Sequence, residues 1–118
     1  MILNSIYQGV SLSEEGILIE VIAQLNKDLR LSGIEYEFDI NLEKNKFIVT
    51  LLNWIETTLI ENENILFNFL YRVDVNQQLI YSQDGLPQEN LLKLILNREL
   101  QKVVLKKQYS SGSNSLLS

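Results

Sequence analysis

The segment from about residue 87 to residue 107 constrains the fold more than any other feature of the chain, because its apolar residues lie on nearly every side of a helix. The main apolar stripe is Leu92, Leu96, Leu100 and Val103, and apolar residues outside it include Leu94, Val104 and Leu105. A helix that is apolar all round is normally central or sandwiched between other elements. Since Pro87 suits a first helical turn, the sequence predicts a long last helix at the centre of the fold.

Earlier segments each show a single apolar face at helical spacing. Ser11 and Glu14 have the spacing of a capping box, and Gly33 suits a left-handed position after a helix, so a first helix is predicted between them. Two more helices are predicted at about 42–61 and at about 63–73. The chain up to residue 73 is therefore expected to be mainly helical.

Residues 34–40 alternate strictly between apolar and acidic side chains. With a period of two, Tyr36 and Phe38 fall on one side of an extended segment, and Glu35, Glu37 and Asp39 fall on the other. A lone strand cannot satisfy its own backbone. The segment is therefore expected to pair with another strand, to pair with another copy, or to lie on the helices as an extended connector.

The region 69–82 is open to two interpretations. Asp74 and Gln77 have capping-box spacing that would begin a short helix through Leu79 and Ile80. The alternative is a hairpin at 69–82, but Gln77 is a poor occupant of a two-residue turn, which favours glycine or asparagine. The helical interpretation is preferred.

The predicted fold class is mainly α: a small helical bundle of four to five helices with one short extended or strand-like segment near 34–40, or alternatively α+β with a hairpin at 69–82. The sequence also allows a further helix at 2–8. At 118 residues the chain has the length of one domain. We predict a single helical domain over 1–107 and a flexible, serine-rich C-terminal tail over 108–118.

Composition excludes many kinds of chemistry. The chain has no cysteine and no histidine, so it lacks thiolate nucleophiles, the usual general base at neutral pH and the commonest zinc ligands. Its five glycines are scattered, which disfavours a phosphate-binding loop. No apolar stretch has bilayer length, and the N-terminus does not resemble a secretory signal. We predict a cytoplasmic protein that is not an enzyme, has no membrane span, and holds no cofactor or metal.

Carboxylates at two places in the sequence are candidate sites. Glu99 lies close to the apolar stripe of the last helix and, if buried, would have the raised pKa of a general acid or base. The favoured interpretation is an i, i+3 pair with Lys102 on a partly exposed flank. Glu35, Glu37 and Asp39 share a strand face that could hold a hard cation, but they lack the loop geometry of dedicated calcium sites. A solvated face is favoured.

The last helix is basic in an otherwise acidic chain, whose net charge is −5. Its candidate anion-binding residues are Arg98, Lys102, Lys106 and Lys107. They could form a footprint for nucleic acid or an anionic surface. They could instead complement the helix dipole and the acidic first half, since residues 1–62 carry ten acidic and four basic groups. The structural interpretation is favoured, and nucleic acid is not the expected partner.

More apolar and aromatic residues are present than the predicted core faces require. The candidate interface residues are Tyr36, Phe38, Trp54, Ile60, Phe67 and Tyr71. Aromatic residues are enriched where proteins meet proteins. The sequence therefore predicts a non-enzymatic protein–protein interaction module, such as an adaptor, an assembly subunit or an immunity or antitoxin-like protein, with a protein partner or self-association. The alternative function is binding of nucleic acid or an anionic surface through the basic last helix.

Overall fold

The computed structural model describes residues 6–7, 9–82 and 84–117, with side chains described for 9–81 and 84–109. In chain order its elements are β1 (Ile6–Tyr7), β2 (Val10–Ser11), α1 (Ile17–Leu31), α2 (Lys44–Glu61), α3 (Glu63–Val73), α4 (Leu79–Ser82) and α5 (Pro87–Leu117). The two short strands pair antiparallel around Gly9, which has a φ of 79°. The prediction of a small, mainly helical fold is confirmed.

Helix α5 is the central element of the described chain. It contacts the other four helices and β1. Leu92, Leu96 and Leu100 of its main stripe are fully buried. Val104, outside that stripe, is also buried, and Leu94 is half-buried. The all-round apolar sequence of this helix thus reflects neighbours on several sides.

The end of α1 follows the sequence prediction at Gly33. This glycine has a φ of 78°, a left-handed conformation that residues with a Cβ adopt at a cost. The Ile34 N–H donates to the Leu29 carbonyl at 2.9 Å and the Gly33 N–H donates to the Arg30 carbonyl at 3.0 Å. These two bonds form a Schellman motif, which satisfies the last carbonyls of the helix and turns the chain into segment 34–40.

The start of α1 differs from the prediction, because Ser11 and Glu14 do not form a capping box. The Ser11 hydroxyl accepts a hydrogen bond from the Ser13 N–H, and the Ser11 carbonyl accepts one from the Glu14 N–H. These bonds make a turn that precedes the helix. Gly16 then adopts a φ of 82°, outside the helical region, so regular α1 begins only at Ile17.

The hairpin alternative for 69–82 is wrong. Helix α3 runs to Val73, and Asp74 follows it with a left-handed φ of 69°. The Val75 N–H donates to the Leu70 carbonyl at 3.1 Å, which closes α3 as the corresponding bond closes α1. Asp74 therefore ends one helix rather than beginning the next. The predicted short helix is present as α4.

Segment 34–40 contains no β-strand, so of its three predicted outcomes it takes that of a connector lying on the helices. Asn26 of α1 makes this possible. Its Nδ2 donates to the Phe38 carbonyl at 2.9 Å, and its Oδ1 accepts the Phe38 N–H at 2.8 Å. A side-chain amide thus supplies the donor and acceptor that a neighbouring strand would have supplied.

Two predictions concern the chain ends. For the proposed helix at 2–8, residues 6 and 7 form β1 instead, while residues 1–5 and 8 lie outside the described residues. Helix α5 extends to Leu117, beyond the end predicted near residue 107. The single domain over 1–107 and the flexibility of the tail over 108–118 stay predictions.

Candidate functional site

A buried charged cluster joins α1 to α5. It consists of Asp28, Glu99 and Lys102, and the Lys102 Nζ lies 2.9 Å from Asp28 Oδ2 and 3.7 Å from Glu99 Oε1. Glu99 is 0% exposed, so it is a core residue and not part of the partly exposed flank predicted from the sequence. The predicted contact between Glu99 and Lys102 is present, but it is enclosed.

Glu99 is held in its neutral form. Burial, together with the hydrogen-bond contact with Asp28 and the negative charge of Asp28, raises the pKa of its carboxyl group to about 9 against the opposing effect of Lys102 and Arg98. Neither Glu99 oxygen accepts a hydrogen bond. A protonated Glu99 can donate its hydrogen to the Asp28 carboxylate, which leaves a single Asp28–Lys102 ion pair in the cluster.

The raised pKa of Glu99 suits a general acid, but its carboxyl group is not accessible to a substrate. Asp28 is also buried, and the Glu99 carboxyl group has no exposed surface. A general acid must come within hydrogen-bond reach of the substrate atom that it protonates. A substrate would have to separate α1 from α5 to reach Glu99, so the geometry favours a structural role.

The carboxylates of segment 34–40 do not converge on a cation site. Glu35, Glu37 and Asp39 are all exposed, and Asp39 Oδ1 accepts the Asn41 N–H at 2.9 Å. Among the described residues, no group of three or more acidic, histidine or cysteine side chains is placed to hold a metal ion. The side of the segment that carries these carboxylates faces solvent.

Three of the six candidate interface residues lie together in an aromatic cluster of five rings. The members of this cluster are Tyr36, Phe38, Phe47, Trp54 and Phe69. The Tyr36 and Phe38 ring centroids are 4.8 Å apart, and those of Trp54 and Phe69 are 5.4 Å apart, both edge to face. Such pairs stabilise beyond the apolar area they bury. The cluster fixes segment 34–40 against α2 and α3.

The six candidates differ widely in exposure. Ile60 and Tyr71 are 85% and 84% exposed, and Tyr36 is 43% exposed at the edge of the aromatic cluster. Trp54 and Phe67 are half-buried against the core. Phe38 is 2% exposed, because its ring is the one by which the segment packs into the core, so it offers no surface to a partner.

Tyr71 belongs to a different surface from Tyr36. It lines a shallow groove of about 490 Å³ with Leu31 and Arg72, between the end of α1 and α3. Ile60 lies in the last turn of α2. The six candidates therefore do not form one surface: Tyr36, Phe38 and Trp54 share the aromatic cluster, and Tyr71 and Ile60 lie outside it.

The basic residues of α5 contact polar groups elsewhere in the fold. Arg98 donates to the Val73 carbonyl and pairs with Asp74, both at 3.3 Å. Lys106 Nζ donates to Gln24 Oε1 at 3.3 Å, and Lys107 Nζ lies 3.0 Å from Glu20 Oε2. The Lys102–Asp28 and Lys107–Glu20 pairs agree with the predicted complementarity between α5 and the acidic first half of the chain, whereas the acidic partner of Arg98 lies outside residues 1–62.

Residues Glu20, Gln24 and Asp28 form a polar row along α1 that sequence reasoning missed. They recur every four residues, which places them on one side of a helix. Gln24 connects the row, since its Nε2 donates to Asp28 Oδ1 at 3.3 Å while its Oε1 accepts from Lys106. The spacing was readable from the sequence, but the partner helix was not.

An open groove of about 290 Å³ lies beside this row, between α1 and α5. We call it the α1–α5 groove. Its charged lining consists of Lys27, Arg30, Lys106, Lys107 and Glu20. Four cations thus line one groove of a protein whose net charge is −5. Lys27 and Arg30 were absent from the sequence candidates, because they lie in the acidic half of the chain.

The chain matches no protein-family model, no curated protein and no solved structure. Within the part of the chain that the structure describes, none of the helices is both long enough and apolar enough to cross a bilayer.

Proposed function

We propose that this chain is a non-enzymatic protein–protein interaction module that presents segment 34–40 to a basic protein surface. The observation that carries the proposal is that this segment is exposed and is held in a fixed position on the fold. Tyr36 and Ile40 are 43% and 42% exposed among exposed carboxylates, while Phe38 anchors the segment in the core. Asn26 fixes the backbone of Phe38 through two hydrogen bonds. A surface held in place before binding loses less conformational entropy when a partner docks.

Charge defines the chemistry of the partner. Glu35 and Glu37 take part in no ion pair among the described residues. Asp39 adds a third carboxylate to the same segment. A partner with Lys or Arg around an apolar pocket would complement these charges and receive Tyr36, since aromatic anchors surrounded by polar contacts carry much of the energy of protein interfaces.

Recognition is expected to involve the side chains of the segment rather than addition of a strand at Phe38. Strand addition depends on free backbone donors and acceptors. Asn26 already occupies the N–H and carbonyl of Phe38. A proline at position 38 would therefore break the internal attachment of the segment, and loss of binding by such a variant would say nothing about a partner's sheet.

The alternative function, nucleic-acid or anionic-surface binding along the basic last helix, has less support. Lys102 is paired with buried Asp28, and Arg98 and Lys107 are paired with Asp74 and Glu20. Affinity for a phosphate backbone arises mainly from Lys and Arg side chains that neutralise phosphates. Along this helix most of those charges already have acidic neighbours within the fold.

Site-specific photo-crosslinking tests the proposal. A photoreactive phenylalanine analogue replaces Tyr36 or, as the matched control, Tyr81, which is also exposed but lies on α4. In cells that naturally produce the protein, position 36 should give a discrete protein adduct that position 81 does not give. Glu35→Gln with Glu37→Gln should strongly weaken that adduct, because the carboxylates select the partner.

Two results would contradict the proposal. One is an equal adduct pattern from positions 36 and 81. The other is an adduct from position 36 that the double Gln variant leaves unchanged. Light scattering on the purified chain separates a foreign partner from a second copy of the protein, because only self-association raises the mass with concentration.

A further inference from the structure

The α1–α5 groove combines cations from two helices that are distant in sequence. Lys27 and Arg30 come from the second half of α1, and Lys106 and Lys107 come from α5. All four side chains are exposed. Glu20 is the one carboxylate in the lining, so the lining carries three more positive than negative charges.

Contacts with α1 position the two lysines of α5. Lys106 is hydrogen-bonded to Gln24, and Lys107 is paired with Glu20. A lysine whose ammonium group is already positioned loses less freedom when it meets a ligand. These two contacts also neutralise no more than one of the four positive charges.

Among the described residues, Lys27, Arg30 and Lys106 are the groove cations without an acidic partner, and of these three Lys106 is hydrogen-bonded to Gln24. The position of Lys27 and Arg30 near the C-terminal end of α1 is favourable for the helix dipole, which explains why cations are tolerated there. The dipole does not explain why two more cations from α5 line the same groove.

We propose that the α1–α5 groove binds a compact ligand carrying two or more phosphate groups, with Lys27 and Arg30 as its principal contacts. Arginine recognises phosphate through a fork of N–H donors, and lysine acts as a point charge. The groove, at about 290 Å³, lies at the lower end of the volumes that hold small ligands. It suits a short phosphate chain, whereas a nucleic acid duplex would extend far beyond it.

Calorimetric titration of the full-length chain with inorganic tripolyphosphate tests this inference. The unsubstituted protein should bind with an affinity that falls as salt concentration rises. Lys27→Gln with Arg30→Gln should weaken binding by at least about tenfold, which corresponds to roughly 1.4 kcal/mol. Circular dichroism checks that the double variant remains folded, as expected for two exposed side chains.

The matched control is Lys46→Gln with Lys93→Gln. These two lysines are also exposed but do not line the groove, and the substitution changes the net charge equally. The control should bind tripolyphosphate as the unsubstituted protein does. An equal loss in both double variants would overturn the proposal, because it would reveal a general charge effect. Absence of binding at millimolar tripolyphosphate would overturn it as well.

A parallel titration with ATP distinguishes the source of the phosphate groups. Equal affinities for ATP and tripolyphosphate would assign recognition to the phosphate chain alone, and tighter ATP binding would identify a nucleotide as the ligand. A short DNA duplex that binds more tightly than either compound, with equal losses in both double variants, would replace this inference by non-specific binding of a long polyanion.

Discussion

Helices α1 and α5 meet along charged and polar side chains, whereas segment 34–40, α2 and α3 meet through five aromatic rings. The stability of the α1–α5 contact depends on which groups are protonated and on pairing between specific groups. The stability of the aromatic cluster depends on shape and on removal of apolar surface from water. Both regions lie within one small fold, so substitutions can be compared in the same molecule.

The comparison shows how differently two well-packed regions respond to conditions. Desolvation of a charge is unfavourable, and this penalty changes with pH because a proton can neutralise the group. Burial of apolar side chains involves no group that gains or loses a proton between pH 4 and pH 9. We therefore expect the α1–α5 contact to set the pH dependence of stability, and the aromatic cluster to set a large part of its overall level.

Phe38→Ala should have the largest effect, because it removes the central ring of the aromatic cluster. The Phe38 ring is close to those of Tyr36, Phe47 and Trp54, with centroid distances of 4.8, 5.8 and 6.4 Å. Deletion of a buried Phe ring typically lowers the free energy of unfolding by about 3–5 kcal/mol. Urea denaturation followed by the fluorescence of Trp54, the single tryptophan, measures this loss.

Tyr81→Ala is the control for Phe38→Ala, since Tyr81 is 70% exposed. Its free energy of unfolding should change by no more than about 0.5 kcal/mol. The loss in Phe38→Ala should also be the same at low and high salt. A loss that disappears at high salt would show that charges, rather than packing, hold segment 34–40 in place.

Glu99→Gln should stabilise the protein, in contrast to Phe38→Ala, and the size of this stability gain should depend on pH. The folded-state pKa of Glu99 is about 9 and the ordinary value is 4.5, so between these values the unfolded chain releases a proton that the folded chain retains. Each pH unit in that interval lowers the stability of the natural protein by about 1.4 kcal/mol. Gln does not titrate, and its amide can donate to Asp28 as the protonated carboxyl group does.

The stability gain of Glu99→Gln is therefore expected to be small below pH 4.5, to grow as pH rises, and to reach the order of 3 kcal/mol at pH 7. Urea denaturation at a series of pH values measures the difference between the two proteins. Glu15→Gln, at an exposed position, serves as the control and should show no such trend. A difference independent of pH would mean that Glu99 is ionised in the folded protein.

Much of this fold is predictable because it rests on local patterns. The periodicity of α2, α3 and α5 and the left-handed Gly33 are properties of short stretches of sequence. Asn26 is not predictable in this way. It replaces the strand partner that segment 34–40 was expected to need, and the contact joins residues twelve positions apart through a single side chain.

The surfaces were less predictable than the helices for a related reason. A helical wheel identified Glu99 as close to the apolar stripe, but only the packing of α1 on α5 encloses it with Asp28. In the same way, Lys27 and Arg30 share a groove with Lys106 and Lys107 only because these two helices are adjacent. Sequence periodicity assigns residues to a face of a helix, and the identity of the facing helix depends on the whole fold.

Lys107→Gln should have the smallest effect and refines the comparison within the α1–α5 contact itself. Lys102 and Lys107 both pair with α1 carboxylates, but the Asp28 side chain is 5% exposed whereas that of Glu20 is 43% exposed. Loss of an exposed ion pair changes the free energy of unfolding by about 0–1 kcal/mol, and salt screens it. Lys102→Gln leaves the buried Asp28 carboxylate without its cation, so the same denaturation experiment should show a clearly larger loss. Equal losses for the two variants would mean that water reaches the Asp28 pair as freely as the Glu20 pair, and the contrast between the two regions would then be one of residue type and not of burial.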